Sequence, residues 1–388
     1  MKVIPYGRQS ISQADLDAVR QVLDSDFLTQ GPAVPKFEEQ IAKYCGAEYA
    51  AATSSATAGL HLACLALGVT AGDVVWTSPI TFVASANCAL YCGAIIDFVD
   101  ISLDSYNMCP VALEEKLISA ELAGTLPKVV IPVHLSGQPC DMKEIHKLSE
   151  RYGFSIIEDA SHAIGARYLD DQVGCCRFSD ITVFSFHPVK IITTGEGGLA
   201  VTNDEVLDYK IKLLRSHGIT RDENRFEGHS EGPWYYQQIE LGFNYRMTDM
   251  QAALGSSQLQ RLDEFISIRH KIADSYDTSL ENSAFTLPYQ NEFSYSSYHL
   301  YVVRLKVVSN MRSHREVVEF LRNSGIGVNL HYIPVYHHPY YKKLGFERGY
   351  CKNAELYYSQ AISIPMFPAL NSKDQKTVIE CLLSIDNE

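Results

Sequence analysis

Seven short apolar runs punctuate the first half of the chain, at Tyr49–Thr53, Val74–Thr77, 94–99, 128–134, 154–158, 181–186 and Gly198–Thr202. Most are apolar throughout instead of alternating, the pattern of strands buried on both faces. Segments of helical spacing separate several of them. One, at 54–67, places Leu60, Cys64 and Leu67 on one face and stops at Gly68; another, at 141–152, aligns Ile145 with Leu148. Strand–helix alternation predicts an α/β fold with a mainly parallel sheet and right-handed crossovers. After about residue 250 the pattern changes. The spacing predicts one long helix over 250–269, with Ala253, Leu254, Leu259, Leu262 and Ile266 as its apolar positions. A strand-like run at 300–308, a helix at 313–323 and a last helix from Ser372 follow. The expected organisation is a large domain over 1–250, N-terminal arm included, and a smaller α+β domain over 251–388. A chain of 388 residues is long enough for two cores.

Charge and cysteine usage exclude several classes of function. With 33 Lys+Arg against 46 Asp+Glu, the net charge is −13. Such a chain has no general attraction for nucleic acid or an anionic membrane, so a phosphorylated ligand needs a local site that overrides the field. The ten cysteines lie mostly in apolar stretches and form no CxxC pair, which argues against a disulfide framework, a zinc ribbon or a dithiol redox centre. Residues 1–20 lack the apolar core of a signal peptide, and no run of about 20 apolar residues occurs. The expectation is a soluble, reduced, cytoplasmic protein without a metal site.

Four stretches carry candidate chemistry. In FSFHPVKIITTGEGG, at 184–198, Lys190 lies just past a buried strand. It is either a surface lysine or a lysine whose amine is held as a Schiff base. The glycines at 195–198 match a dinucleotide fingerprint formally, but they enter a strand-like run where that fingerprint opens a helix, so a tight turn is the better account. In EDASHA, at 158–163, Asp159 ends a strand, where open α/β sheets place ligand groups. It caps the next turn or holds a pyridine nitrogen protonated, and His162 beside it is a satisfied polar residue or a partner for a ring oxygen. In TSSATAG, at 53–59, small and hydroxyl residues open a helix and admit an anion to its first N–H groups, besides providing an ordinary N-cap. In ITFVASAN, at 80–87, Phe82 either packs in the core or stacks on a planar ring. A later run, NLHYIPVYHH at 329–338, reads as a substrate-facing loop, and Cys175 and Cys176 read as packing.

The order and spacing of these motifs resemble a pyridoxal 5′-phosphate (PLP)-dependent aminotransferase of fold type I, and in detail the DegT/DnrJ/StrS family of sugar aminotransferases. The likeness runs from FLTQGP at 27–32 to SIPMFP at 363–368 and includes RSHG at 215–218 and LGFNYRM at 241–247. Within the family the chain is most similar to enzymes that aminate C4 of UDP-2-acetamido-2,6-dideoxy-β-L-arabino-hexos-4-ulose on the route to pseudaminic acid. FLTQG, ITFVASAN, FSFHPVK and the HYIP at 331–334 carry that part of the resemblance.

The resemblance implies an aspartate-aminotransferase-like large domain with a seven-stranded, mainly parallel sheet. It also implies Lys190 as the residue joined to PLP and as proton carrier, with Asp159 at the pyridine nitrogen, Phe82 on the ring and His162 at the ring hydroxyl. Many relatives have Gln where His162 stands. The phosphate would rest on Ser55, Ala56, Thr57 and Ser185, with Asn244 reaching it from a second subunit of a homodimer. Sugar-nucleotide contacts would come from Tyr6, Asp26, Phe27, Leu28, Thr29, Ala56, Ser185, Asn244, Asn329, Leu330, His331 and Tyr332. L-glutamate is the implied amino donor, and the cofactor cycles between PLP and pyridoxamine phosphate. The alternatives are C4 or C3 amination of another UDP-, GDP- or dTDP-keto-deoxysugar, or a catalytically silent nucleotide-sugar-binding protein. A dehydratase of the same fold, which uses histidine in place of the lysine, is disfavoured by Lys190.

Overall fold

A computed structural model describes residues 3–306 and 312–387. Residues 307 and 308 of the expected run at 300–308 lie outside it. In chain order the helices are α1 (Gln13–Leu23), α2 (Ala33–Cys45), α3 (Ala56–Ala66), α4 (Ala84–Tyr91), α5 (Pro110–Ala123), α6 (Met142–Tyr152) and α7 (Glu205–Leu214). Then come α8 (Asp249–Leu259), α9 (Leu262–Leu280), α10 (His314–Asn323), α11 (Pro339–Lys342), α12 (Lys352–Tyr358) and α13 (Ser372–Leu383). The strands of the main sheet are β1 (Tyr49–Thr53), β2 (Val74–Thr77), β3 (Ile95–Phe98), β4 (Val129–Ile131), β5 (Ser155–Asp159), β6 (Ile181–Ser185) and β7 (Gly198–Thr202). Those of the second sheet are β8 (Phe285–Thr286), β9 (Tyr301–Leu305) and β10 (Ala361–Ile364).

Each of the seven apolar runs marks one strand of a single sheet, ordered β1-β7-β6-β5-β4-β2-β3, with β5 reaching one residue past its run to Asp159. From β6 to β3 neighbouring strands are parallel; β7 alone runs against both its neighbours. Every residue of β6 and β7 is buried, which is why these runs read as unbroken apolar stretches. One face packs on α3, α4 and α7 through Leu60, Ala63, Cys88, Ile211 and Val183. The other is covered in two parts, by α2, α8 and the start of α9 around Phe37, Phe184 and Leu262, and by α5 and α6 around Leu113, Ile145 and Ile156.

The long helix expected over 250–269 is two. Helix α8 closes at Leu259, Arg261 leaves helical geometry at φ −112° and ψ 7°, and α9 restarts at Leu262. The break is held from outside. Arg261 Nη2 donates to Asp15 Oδ2 (2.6 Å) and to Ser10 O (3.1 Å), while Gln258 Nε2 donates to the same two groups. The buried face of α8 is accordingly Ala252, Gly255, Gln258 and Leu259, and Ala253 and Leu254 are only half-buried. Leu262, Phe265 and Ile266 of α9 belong to the large core, whereas Ile272, Ala273, Tyr276 and Leu280 belong to a separate core. That second core lies against the antiparallel sheet β8-β9-β10 and takes in Val317, Leu321, Val378 and Leu382. Ile4, near the start of the chain, is buried in it. Its N–H donates to Gly325 O (2.9 Å), and Met366 N–H donates to Tyr6 O (2.9 Å). The N-terminal arm thus joins the two cores, with Ile4 buried in the second and Tyr6 packed against the first.

Candidate active site

The carboxyl ends of β5 and β6 and the amino end of α3 surround a cavity of about 720 Å³. Its wall carries Asp159, His162, Ser185 and Lys190, the helix start Ser55, Ala56 and Thr57, and Phe82; Tyr6, His331 and Tyr332 close it from the small-domain side. Asp159 is the last residue of β5 and is buried. Thr81 Oγ1 lies 2.7 Å from Ser85 Oγ, and Ser85 donates to Asp159 Oδ2 (2.6 Å). The Ser161 N–H donates to Oδ1 (3.1 Å), so both carboxylate oxygens are fixed while the group still lines the cavity.

Lys190 follows β6 on a tight turn in which its own N–H returns to His187 O (2.9 Å). Burial pushes its amine down, against the pull of Asp159, to about 8. An ordinary lysine is almost wholly protonated near neutrality, whereas this one holds a substantial neutral fraction. That is the condition a nucleophilic amine needs.

The corner at the amino end of α3 is built from backbone. Ser55 caps α3, its Oγ accepting the Ala58 N–H (3.1 Å). The N–H groups of Ala56 and Thr57 open the helix and have no acceptor within it. Opposite them, at the start of β7, stands Gly198. A Cβ there would lie 2.4 Å from Ala56 N and 2.4 Å from Ser55 C, so only glycine lets strand and helix start approach so closely. The turn before it needs Gly195 at φ +82°. The glycine cluster thus serves as a tight turn and cradle floor.

His162 is buried beside these groups. Its Nδ1 accepts the Ser136 N–H (3.2 Å), so in the neutral ring the hydrogen sits on Nε2, 3.3 Å from Tyr332 Oη. Burial, then Lys190, holds its proton affinity well below the usual range, so the ring is neutral. Burial likewise lowers His331, to about 4, with Lys190 adding to the effect. Phe82 is 59% exposed and 6.3 Å from the Tyr332 ring, a face left open where core packing was the alternative.

Of the run 329–338, only His331 and Tyr332 line the cavity. Asn329 pairs with Ser363 behind the wall, and Leu330 is half-buried with it. His337 is committed to Glu355 (3.0 Å). Asp26, Phe27, Leu28 and Thr29 do not reach the cavity; they lie between α1 and α2, where Leu28 O accepts the Asp249 N–H (3.0 Å). Asn244, bridged to Ser216, is exposed on the surface. His299, which no sequence motif marks, lines the wall with its ring 4.4 Å from that of His162. Its Nδ1 is buried and has no partner among the described residues, which costs about 1–3 kcal/mol unless a ligand supplies one.

A family model described as the DegT/DnrJ/EryC1/StrS aminotransferase family matches residues 9–383. A UDP-4-amino-4,6-dideoxy-N-acetyl-beta-L-altrosamine transaminase of Campylobacter jejuni is 39% identical over 386 residues, covering 99% of this chain and 97% of the relative. Among solved structures, Helicobacter pylori PseC, an aminotransferase involved in the biosynthesis of pseudoaminic acid, matches with a TM-score of 0.90 and 31% identity over 100% of both chains. Spr1654 of Streptococcus pneumoniae, solved in its PLP form, matches with a TM-score of 0.88 and 28% identity over 99% of both chains.

Proposed function

The chain belongs to the DegT/DnrJ/EryC1/StrS aminotransferase family, and on that premise we propose that it transfers the amino group of L-glutamate to C4 of a UDP-linked 4-keto-6-deoxy-N-acetylhexosamine, with PLP as cofactor. The observation that carries this reading is the convergence on one cavity of a neutralisable lysine, a fixed carboxylate and a glycine-floored helix start. The residues present fit PLP. A Cβ at Gly198 would fill the cradle, and the donor set at Ser55, Ala56, Thr57 and Ser185 suits a phosphate. The product named for the Campylobacter jejuni relative supports amination at C4.

When bound, PLP supplies an electron sink and a carrier for the amino group. The chain's own groups do the rest. Asp159, held by Ser85 and Ser161, keeps a proton on the ring nitrogen. Phe82, its face open to the cavity, would pack on the ring, and His162, with its hydrogen held on Nε2, would donate to the ring oxygen. Lys190 holds the cofactor at rest. Once displaced, its amine takes the proton from the donor's Cα and later returns one to the sugar's C4, on the face that fixes the new stereocentre. His331, Tyr332 and Tyr6 receive the sugar. We further propose a homodimer in which a second copy supplies Asn244 and residues 26–29. The exposure of Phe27, Leu28, Asn244 and Leu241 in the single chain supports this arrangement.

The test is direct. Protein loaded with PLP should be yellow, lose that absorbance on adding L-glutamate, and regain it with the matching keto-sugar. A panel of UDP-, GDP- and dTDP-linked 4-keto- and 3-keto-6-deoxysugars, with products identified by NMR, should give 4-amination of the UDP-N-acetyl sugar. Protein that stays colourless with PLP, or unbleached by glutamate, contradicts transamination; amination of another panel member corrects the substrate.

A further inference from the structure

Behind the cavity lies a buried acid–imidazole pair that none of the chemistry above uses. Strand β5 alternates its side chains between the two faces of the sheet, so Glu158 points away from Asp159. Glu158 is 5% exposed and His134 is 0% exposed. His134 Nε2 and Glu158 Oε2 are 2.7 Å apart. The other carboxylate oxygen accepts from Ser179 Oγ and from Thr182 Oγ1 (3.1 Å). His134 Nδ1 accepts the Cys140 N–H (3.0 Å). Burial pushes the proton affinity of His134 down while Cys140 and Glu158 pull it up, with the net direction upward. The Cys140 N–H nevertheless occupies the only place for a second proton, so the ring is neutral and donates from Nε2 to the carboxylate.

This ring ties together both ends of the loop 134–140. The His134 N–H also donates to Asp159 O (3.1 Å). Within the loop Ser136 sits at φ +61°, a conformation that persists for a non-glycine residue only where its surroundings impose it. Its N–H is the group donated to His162 Nδ1. The next residue, Gly137 at φ +99°, lets the chain pass so close to Ser297 Oγ that a Cβ would lie 2.4 Å from it. Asn107 braces the middle, accepting the Leu135 N–H (2.9 Å) and donating to Gln138 O (2.8 Å).

We propose that the Glu158–His134 pair is a positioning element of the active site: through the 134–140 loop it holds the Ser136 N–H against His162 Nδ1 and so keeps the His162 hydrogen on Nε2, facing the cavity. A neutral imidazole can carry its hydrogen on either nitrogen, and a donor seated at Nδ1 forbids one of the two. The relevance of the fixed tautomer to turnover rests on the reading that His162 meets the cofactor's ring oxygen; the tautomer itself does not.

The test uses three variants of the full-length protein. His134→Ala removes the tie. His134→Gln restores a side-chain N–H at the Nε2 position, within reach of Glu158. Glu158→Asp withdraws the carboxylate by one methylene while keeping its charge, and serves if His134→Ala does not fold. The first readout is the ring ¹⁵N shifts of His162 in cofactor-free protein, assigned by their absence in His162→Gln. The wild type and His134→Gln should show one protonated and one bare nitrogen. His134→Ala, or Glu158→Asp, should show the two averaging, with a new transition in the imidazole pH range. Lys190, His299, His331 and Tyr332 face the same ring and are unchanged in every variant, so the transition is ascribed to His162 if it vanishes in the His134→Ala/His162→Gln double variant. In the loaded enzyme kcat should fall by roughly tenfold to a hundredfold, with little change in KM for either substrate. Wild-type His162 shifts in a folded His134→Ala or Glu158→Asp protein overturn the proposal, as does persistence of the new transition in the double variant. A wild type that takes up no PLP defeats the functional reading and leaves the ¹⁵N result to decide the positioning role.

Discussion

Lys190 is where sequence, burial and chemistry meet. At about 8, roughly one amine in ten is neutral at pH 7, against roughly one in three thousand at an ordinary 10.5. The sign follows. Burial disfavours the ammonium, so lowering the pH through 8 protonates the amine, and raising it through 8 frees it. Capture of PLP by cofactor-free protein should therefore speed up as pH rises from 6.5 to 8.5 and level off above. A rate still climbing tenfold per unit at pH 9.5 would return Lys190 to an ordinary amine. Asp159→Asn keeps the shape of the strand end but offers an N–H where a proton must be held. Cofactor should still bind, and turnover measured with glutamate should drop by roughly a hundredfold or more; an unimpaired variant removes Asp159 from the mechanism. Both residues were legible in the sequence because one ends and the other closely follows an apolar strand inside a dense motif. His299 was not. It sits at the head of β9 among tyrosines and aliphatics, and only the fold brings its ring against His162.

At the scale of elements, the cradle is a contact between the start of β7 and the start of α3, made possible by the absence of a side chain at 198. Gly198→Ala places a carbon 2.4 Å from Ala56 N, so helix or strand must shift. Affinity for PLP, from absorbance titration, should weaken by at least tenfold, and stability should fall by about 1–3 kcal/mol in denaturant unfolding. Wild-type affinity in this variant would detach the phosphate from the corner. The strands of the sheet were readable because two-face burial leaves continuous apolar runs. The break between α8 and α9 was hidden because the buried face of α8 is partly polar. Asp249 and Gln258 are buried there, and Gln258 is satisfied by Ser10 and Asp15 from some 240 residues away in sequence. Apolar periodicity cannot register a face whose partners are charges and carbonyls.

At the scale of the whole molecule, the residues assigned by resemblance do not all reach one cavity. Residues 26–29 and Asn244, singled out by motif, lie on the surface instead of in the wall, and sequence alone does not say which copy's cavity a surface residue serves. If each site joins Lys190 of one copy to Asn244 of another, Lys190→Ala and Asn244→Ala proteins, each inactive alone, should complement. Unfolding and refolding an equal mixture should restore about a quarter of wild-type activity, because half of the dimers are mixed and each mixed dimer has one intact site. No recovery in a mixture shown to form mixed dimers would mean that the two residues serve the same site within one chain. Every proposed step depends on where the cofactor's carbon attaches. Reduction of the yellow protein with borohydride, followed by peptide mapping by mass spectrometry, should find a single pyridoxyl group on Lys190. A group found on any other lysine, or on none, contradicts it.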